Sequence, residues 1–265
     1  MVKKILIVSI LFFVGIVLLA RSGEAGSVER FTALDVGQGD ALLVQSGGAT
    51  ALIDTGLPQA DVEQLLRKHI GTRSLDVLVM THQDKDHTGG MVDVLRTYKP
   101  RVLVWPGGEL TKEGEKIMAA AEKAGTIPMV VTAGNRISVG NLVMTVVAPD
   151  SRYQGSGAEN DRSLVIHLAY PDFSVLTLGD APTEIEEILP EAFLDVDLVK
   201  IGHHGSKTST GEELLQKLTT RTAFISLGAD NKYGHPNEEV MARLLEYGFS
   251  VRRTDLEGHL VFEGF

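Results

Sequence analysis

The run His82-Gln83-Asp84-Lys85-Asp86-His87 sets four groups able to bind a metal within six residues, two imidazoles and two carboxylates. It begins two residues after the apolar segment Val77 to Met80. A loop leaving a buried strand can turn several side chains toward one point, so this spacing reads as a metal centre. A polar turn with one aspartate capping the next helix explains a single carboxylate. It explains neither both histidines nor the second carboxylate. The chain has no cysteine, so it can carry neither a disulfide nor a thiol-linked lipid, and any metal must sit on His, Asp or Glu.

Further along are residues that can complete such a centre. Asp180 follows Gly179 at the end of an apolar run. A lone carboxylate there can shape a turn or bridge two cations by giving one oxygen to each, and the upstream cluster favours the bridge. His203 and His204 follow the run Leu198 to Ile201 and are flanked by Gly202 and Gly205, which let the backbone come close. Adjacent histidines point different ways, so one can bind metal while the other meets substrate. His235, between Gly234 and Pro236, reads as a ligand, a group behind a ligand, a substrate contact or a plain loop histidine. Asp54 ends a strand at a glycine turn, where a carboxylate often orients a ligand histidine through its other nitrogen. Asp35 and Asp40 serve likewise or only shape their loop. His69, His167 and His259 lack such context, and His167 alternates with Ile166 and Leu168 as a structural residue inside a strand.

The run His82 to His87 resembles the H-x-H-x-D-H motif of the metallo-β-lactamase superfamily, with Asp84 where the second histidine stands. That variant is similar to the hydrolase domain of ComEC-type DNA-uptake proteins and to the phosphorylcholine esterase branch more than to true β-lactamases. The resemblance continues in Leu34-Asp35-Val36-Gly37-Gln38-Gly39-Asp40, Asp54-Thr55-Gly56, Asn160-Asp161-Arg162-Ser163, Leu178-Gly179-Asp180, Lys200-Ile201-Gly202-His203-His204-Gly205-Ser206, Gly234-His235-Pro236 and Arg253-Thr254-Asp255. It implies two divalent metal ions, Mn or Zn, activating a shared water. His82 and Asp84 would hold one, and Asp86, His87 and His204 the other, with Asp180 as the bridge. His203 would stabilise charge or protonate the leaving group, which suits an imidazole, and Asp86 and His235 would join it in the reacting set. Asp54, Asp40 and Asn160 would stand behind the ligands. The first metal lacks an obvious third neutral ligand.

Asp84 in place of a histidine makes the site harder and more anionic, which shifts preference toward Mn and suits phosphate esters. Arg162, Lys200, Lys207 and Lys232 lie within the matching segments, so a locally basic cleft is expected, with Arg162, Lys207 and Lys232 meeting substrate. The resemblance implies phosphodiester hydrolysis at the cell envelope, with single-stranded DNA as a candidate substrate, as in competence-type DNA processing. A phosphorylcholine-esterase-like or other small-ester hydrolase is the alternative within the same class. An inactive metal-binding accessory of a membrane complex is the alternative outside it.

The elements that must position these residues follow from periodicity. Strands are expected at Phe31 to Leu34, Ala41 to Gln45, Thr50 to Ile53, Val77 to Met80, Arg101 to Trp105 and Met129 to Val131, with helices at Ala60 to Lys68, Gly90 to Tyr98 and Glu113 to Ala124. Hairpins follow around Gly140 and around Pro171-Asp172, and then strand, loop and helix alternate from Leu198 to Arg253. Two meanders, each leading into β-α alternation, predict an αββα sandwich of two mixed sheets with outer helices. It would occupy residues 28–265 as one domain.

Lys3 and Lys4 precede an unbroken apolar run from Ile5 to Ala20, the pattern of a signal peptide or membrane anchor over residues 1–25. Export by either route is expected. With one apolar segment, transport would need a membrane partner. The formal charge is −10, and loss of residues 1–25 leaves about −12. Such a body is a poor non-specific wrapper of nucleic acid.

Overall fold

The computed structural model describes residues 16–19 and 153 as backbone, and residues 28–71, 74–152 and 158–264 in full. The chain runs through β1 (Ile16–Leu19), β2 (Arg30–Ala33), β3 (Leu42–Ser46), β4 (Ala49–Ile53), α1 (Val62–Ile70), β5 (Val77–Val79), α2 (Lys85–Thr88), α3 (Met91–Tyr98), β6 (Val102–Trp105), α4 (Lys112–Ala124) and β7 (Ile127–Val130). The second half contains β8 (Arg136–Val139), β9 (Leu142–Ala148), β10 (Val165–Ala169), β11 (Ser174–Thr177), α5 (Thr183–Glu186), β12 (Leu198–Lys200), α6 (Glu212–Lys217), β13 (Thr222–Ile225), α7 (Glu238–Glu246), β14 (Ser250–Arg253), α8 (Thr254–Glu257) and β15 (Leu260–Phe262).

Two mixed sheets result. One has the order β15-β2-β3-β4-β5-β6-β7 and the other β1-β8-β9-β10-β11-β12-β13-β14. Side-chain alternation sorts the strands into layers. Val77 and Val79 of β5 face the space between the sheets with Leu198 of β12. Leu78 instead packs outward with α1, α3 and α4, and Val199 packs outward with α6 and α7. Because both faces are buried, β5 is apolar throughout and β12 is apolar up to Lys200, whose charge is paired inside the protein. This is the expected αββα sandwich.

Phe224 of β13 bridges the sheets, with ring centroids 5.6 Å from Phe31 of β2 and 5.7 Å from Phe262 of β15. The closing strand β15, too short to show a period in the sequence, pairs antiparallel with β2. The last residues of the apolar run Ile5 to Ala20, Ile16–Leu19, pair in parallel with β8 at the sheet edge. The rest of the expected leader, residues 1–15 and 20–25, lies outside the described residues. Among the described residues no helix is long and apolar enough to cross a membrane.

Strands β4 to β7 are mutually parallel, as are β11 to β14. The loops after β4, β5, β11, β12 and β13 carry the chemistry-bearing residues and converge at one edge of the sandwich, joined by hydrogen bonds from the His203 N–H to Gly179 O (3.0 Å) and from Ser226 Oγ to Gly39 O (2.8 Å). Phe224→Ala should cost about 3–5 kcal/mol of stability through the cavity it leaves between the sheets, measured by urea unfolding.

Candidate metal centre

The loop after β5 is shaped by what it must fit against. Gly39 has φ +117°, and a Cβ there would lie 1.9 Å from the carbonyl oxygen of Asp86. Only glycine lets the Gly37-Gln38-Gly39-Asp40 loop lie flat on the metal run. The Asp40 N–H donates to that same carbonyl (3.3 Å), and the Thr55 N–H donates to His87 O (2.7 Å).

His82, His87, His204 and Asp180 are all buried, and their polar ends meet. Asp180 Oδ2 lies 3.3 Å from His87 Nε2, 3.5 Å from His203 Nε2, 3.7 Å from His204 Nε2 and 3.9 Å from His82 Nε2. Asp84 Oδ2 is 3.7 Å from His82 Nε2, and Asp86 Oδ2 is 3.5 Å from His204 Nε2. Two ligand triads lie within this set, His82-His87-Asp180 and Asp86-His87-His204. Asp180 therefore reaches both sides of the cluster, as a bridging carboxylate must.

Whether these residues suit cations can be read from their nitrogens. His204 Nδ1 donates to Ser226 O (2.8 Å), and His87 Nδ1 donates to Asp54 Oδ2 (2.8 Å). In the neutral rings both Nε2 atoms are then lone pairs, and they face each other at 3.2 Å. Such a pair needs a cation between its members. Buried His82 Nε2 and Asp180 Oδ1 have no hydrogen-bond partner, which is costly unless a ligand satisfies them. Orphaned donors, opposed lone pairs and a carboxylate-imidazole set together fit two divalent metals.

Without a metal, a proton supplies the cation. Burial pushes the His87 imidazolium down, but the Asp180 and Asp54 carboxylates outweigh it and hold the ring well above its ordinary value of 6.5. His204 is raised for the same reason, by Asp180 and Asp40 against burial. Burial works against the Asp180 carboxylate, yet His87 and His204 hold it well below the usual carboxylate range. Asp86 is likewise held low by His204 and His87 against burial. Half-exposed Asp84 is held low chiefly by its hydrogen bond to His82.

The residues expected behind the ligands separate into distinct roles. Asp54 accepts from Thr81 N (2.9 Å), Thr81 Oγ1 (2.6 Å) and His87, which fixes the His87 ring. Asp40 pairs with fully buried Lys200 at 2.7 Å, and the Lys200 ammonium also donates to Gly179 O (3.1 Å) and Ile201 O (3.3 Å). Lys200 is thus an internal brace and not part of a basic cleft. Asp35 shapes its own loop by accepting from Gly37 N (3.1 Å).

Asn160 Nδ2 lies 3.5 Å from His203 Nδ1, beside the ring of a histidine that faces Asp180. Arg162, expected to meet substrate, is buried and paired with Glu159, so the structure does not present it as a free cation. Lys207 and Lys232 are exposed. A groove of about 560 Å³ flanked by Arg96, Lys99, Lys116 and Lys123 is basic, but it lies between α3 and α4 and contains none of the metal cluster.

His235 belongs to neither triad; its ring meets the edge of His203 with centroids 5.8 Å apart. Burial holds both rings below the ordinary imidazole value. His203 and His204 adopt left-handed backbone angles, φ 47° and 53°, a strain that persists where surrounding structure enforces it. His69 and His259 pack on each other and His167 on Phe193, away from the cluster. Sequence reasoning passed over Tyr233, stacked on His235; its signal was a lone aromatic beside the Gly-His-Pro turn.

Asp54→Ala should weaken metal binding about 10–100-fold by freeing the His87 ring, read by chelator competition. The proton on His87 and His204 stabilises metal-free protein fully below about pH 6.5 and is lost as pH rises through their raised values, while the Asp180 charge contributes above about pH 3.8 and is lost as pH falls. Melts of chelated protein should therefore peak between these limits. Metal uptake must displace the protons, so apparent affinity should rise with pH and binding should release protons into unbuffered solution.

The Metallo-beta-lactamase superfamily profile matches residues 34–229. ComE operon protein 3 of Bacillus subtilis (strain 168) is 33% identical, over 86% of this chain and 32% of that protein. Competence protein ComA of Neisseria gonorrhoeae is 30% identical, over 87% of this chain and 32% of that protein. The chain thus spans about a third of the length of these relatives. The metallo-beta-lactamase fold protein YhfI from Bacillus subtilis superposes with TM-score 0.60 at 13% identity, covering 89% of this chain and 100% of that one, a likeness of fold alone. The chain belongs to the metallo-β-lactamase superfamily and has its metal-dependent hydrolase fold.

Proposed function

We propose that the chain is a phosphodiesterase that cuts a DNA strand at the cell envelope, with two divalent cations, Mn or Zn, in the cluster around Asp180. The observation that carries this reading is the donor set. Asp84, Asp86 and Asp180 stand against three imidazoles, His82, His87 and His204. Hard, anionic donors of this kind favour oxygen-seeking cations and substrates whose own charge the cations offset. The competence name of one relative and the Lys3-Lys4 and Ile5 to Ala20 leader pattern support the substrate and the location.

When bound, the two cations supply an activated water and neutralise charge on the phosphoryl oxygens. The chain's residues orient the reaction. Asp54 and Ser226 O take the Nδ1 protons of His87 and His204, so both present Nε2. His203 works by a different tautomer. Its Nδ1 accepts from Asn160 Nδ2 and Thr208 Oγ1 (3.2 Å), which leaves the proton on Nε2, 3.5 Å from Asp180. Burial keeps that ring neutral near pH 7, so His203 donates a hydrogen bond to developing charge on a phosphoryl oxygen. His235, at the edge of His203, limits its rotation.

The test is the purified chain with Mn or Zn against single-stranded DNA, bis-p-nitrophenyl phosphate, p-nitrophenyl phosphorylcholine and nitrocefin. Phosphodiester turnover is expected, with His203→Ala lowering kcat about 10²–10³-fold at unchanged metal content and Asp180→Ala losing bound metal. No turnover of any phosphodiester by protein carrying two metals would overturn the proposal.

A further inference from the structure

Tyr233 is 67% exposed, and among the described residues no other tyrosine, phenylalanine or tryptophan side chain is exposed. It belongs to none of the three apolar clusters. Its ring stacks on His235, with centroids 5.8 Å apart and planes 14° from parallel. His235 in turn meets the edge of His203 at 5.8 Å, and His203 Nε2 lies 3.5 Å from Asp180. Three rings therefore step from solvent to the metal cluster.

The loop that presents the outermost ring is braced by one side chain. Asn231 Oδ1 accepts from the N–H groups of Tyr233 (3.2 Å) and His235 (3.0 Å), while its Nδ2 donates to Gly228 O (2.9 Å) and His235 O (2.7 Å). All four bonds are to backbone, so the path from Gly228 to His235 is held whether or not the Tyr233 ring is in contact with anything. An aromatic face offered to water on a braced loop is pre-organised for a flat apolar ligand. Exposed Lys232 adjoins it, and exposed Lys207 follows the His203-His204 turn. These cations suit a ligand that joins flat rings to anions and repel a quaternary ammonium.

We propose that the open face of Tyr233 is a subsite for an unstacked nucleobase flanking the scissile phosphate, with Lys232 serving the adjoining phosphate; this rests on the phosphodiesterase reading above. Bases within a duplex already stack on both sides, so the subsite selects single strands or frayed ends. Base-aromatic stacking of this kind is sequence-tolerant.

The test measures KM and kcat on short oligothymidylates, on the same strands carrying one abasic nucleotide at each position in turn, and on duplex DNA. Tyr233→Ala should raise KM roughly 5- to 100-fold, Tyr233→Phe should restore it, and metal content should stay at the wild-type level. Wild-type protein should itself lose a similar factor on the strand abasic at one position, where the penalty of Tyr233→Ala disappears. That arm needs no variant, so it decides the matter even if Tyr233→Ala folds poorly. Equal KM for wild type and Tyr233→Ala, no abasic position that matters, failure of phenylalanine to rescue, or a penalty confined to p-nitrophenyl phosphorylcholine would overturn the subsite and leave phosphodiester cleavage standing. Absence of phosphodiester cleavage by wild type would overturn both.

Discussion

Two imidazole nitrogens, His87 Nε2 and His204 Nε2, stand 3.2 Å apart at the bottom of the site with the Asp180 carboxylate beside them. In neutral rings that is lone pair against lone pair, so the position holds only if a cation shares the space. The opposite ring edges are fixed by acceptors, Asp54 for His87 and the Ser226 carbonyl for His204, so neither ring can turn away. The fold thus imposes a demand for positive charge that a proton meets in the free protein and that bound metal would meet in its place. The left-handed backbone at His203 and His204 and the glycine at position 39 are conformational costs of bringing that demand to a point.

The sandwich makes this geometry affordable because the site draws on both sheets. Asp54 comes from the loop after β4 and His87 from the short helix α2 that follows β5, while Asp180 and His204 come from the segments after β11 and β12. Their relative placement depends on how the sheets sit together, which the inter-sheet core around Phe31, Phe224 and Phe262 sets. The Lys200-Asp40 pair adds a direct tie at the site itself. Lys200 rises from β12, pairs with Asp40 from the other sheet's loop and holds the carbonyl of Gly179 just before Asp180. Losing one partner of such a buried pair would leave an uncompensated charge, costing about 3–5 kcal/mol.

The local parts of this arrangement were legible in the sequence, because ligands clustered in six residues and strands apolar on both faces announce themselves without tertiary information. The orientation of Asp54 behind a histidine was also readable, since a carboxylate closing a strand at a glycine turn has few other uses. Arg162 and Lys200 were not. Both lie inside matching segments, yet nearness in sequence does not say which face a residue takes, and these turned inward to Glu159 and Asp40. Strand β15 escaped because three residues carry no period, and the pairing of Ile16–Leu19 with β8 was hidden inside a run whose composition reads as a leader. Tyr233 has in sequence only its place beside the Gly-His-Pro turn; its exposure and its stacking on His235 appear with the fold.

Charge counting at the site sharpens why the remaining cations matter. Asp40, Asp54, Asp84, Asp86 and Asp180 bring five negative charges to the cluster and its immediate supports, and buried Lys200 returns one positive charge. Two divalent cations, as proposed, would match the remainder and leave the loaded site close to neutral. A histidine in place of Asp84 would leave it positive and attractive to anions by itself. On the proposed reading, two bound cations would still offset charge on a phosphoryl oxygen with Asp84 present, but long-range attraction of an anionic strand would fall to groups outside the cluster. Exposed Lys207 and Lys232 would supply it on a body of net charge −10. Capture by such exposed cations is screened by salt, whereas chemistry among buried groups is not. For the proposed substrate, the carboxylate that makes the centre hard would therefore separate attraction of the strand from its hydrolysis, and leave the first task to cations outside the cluster.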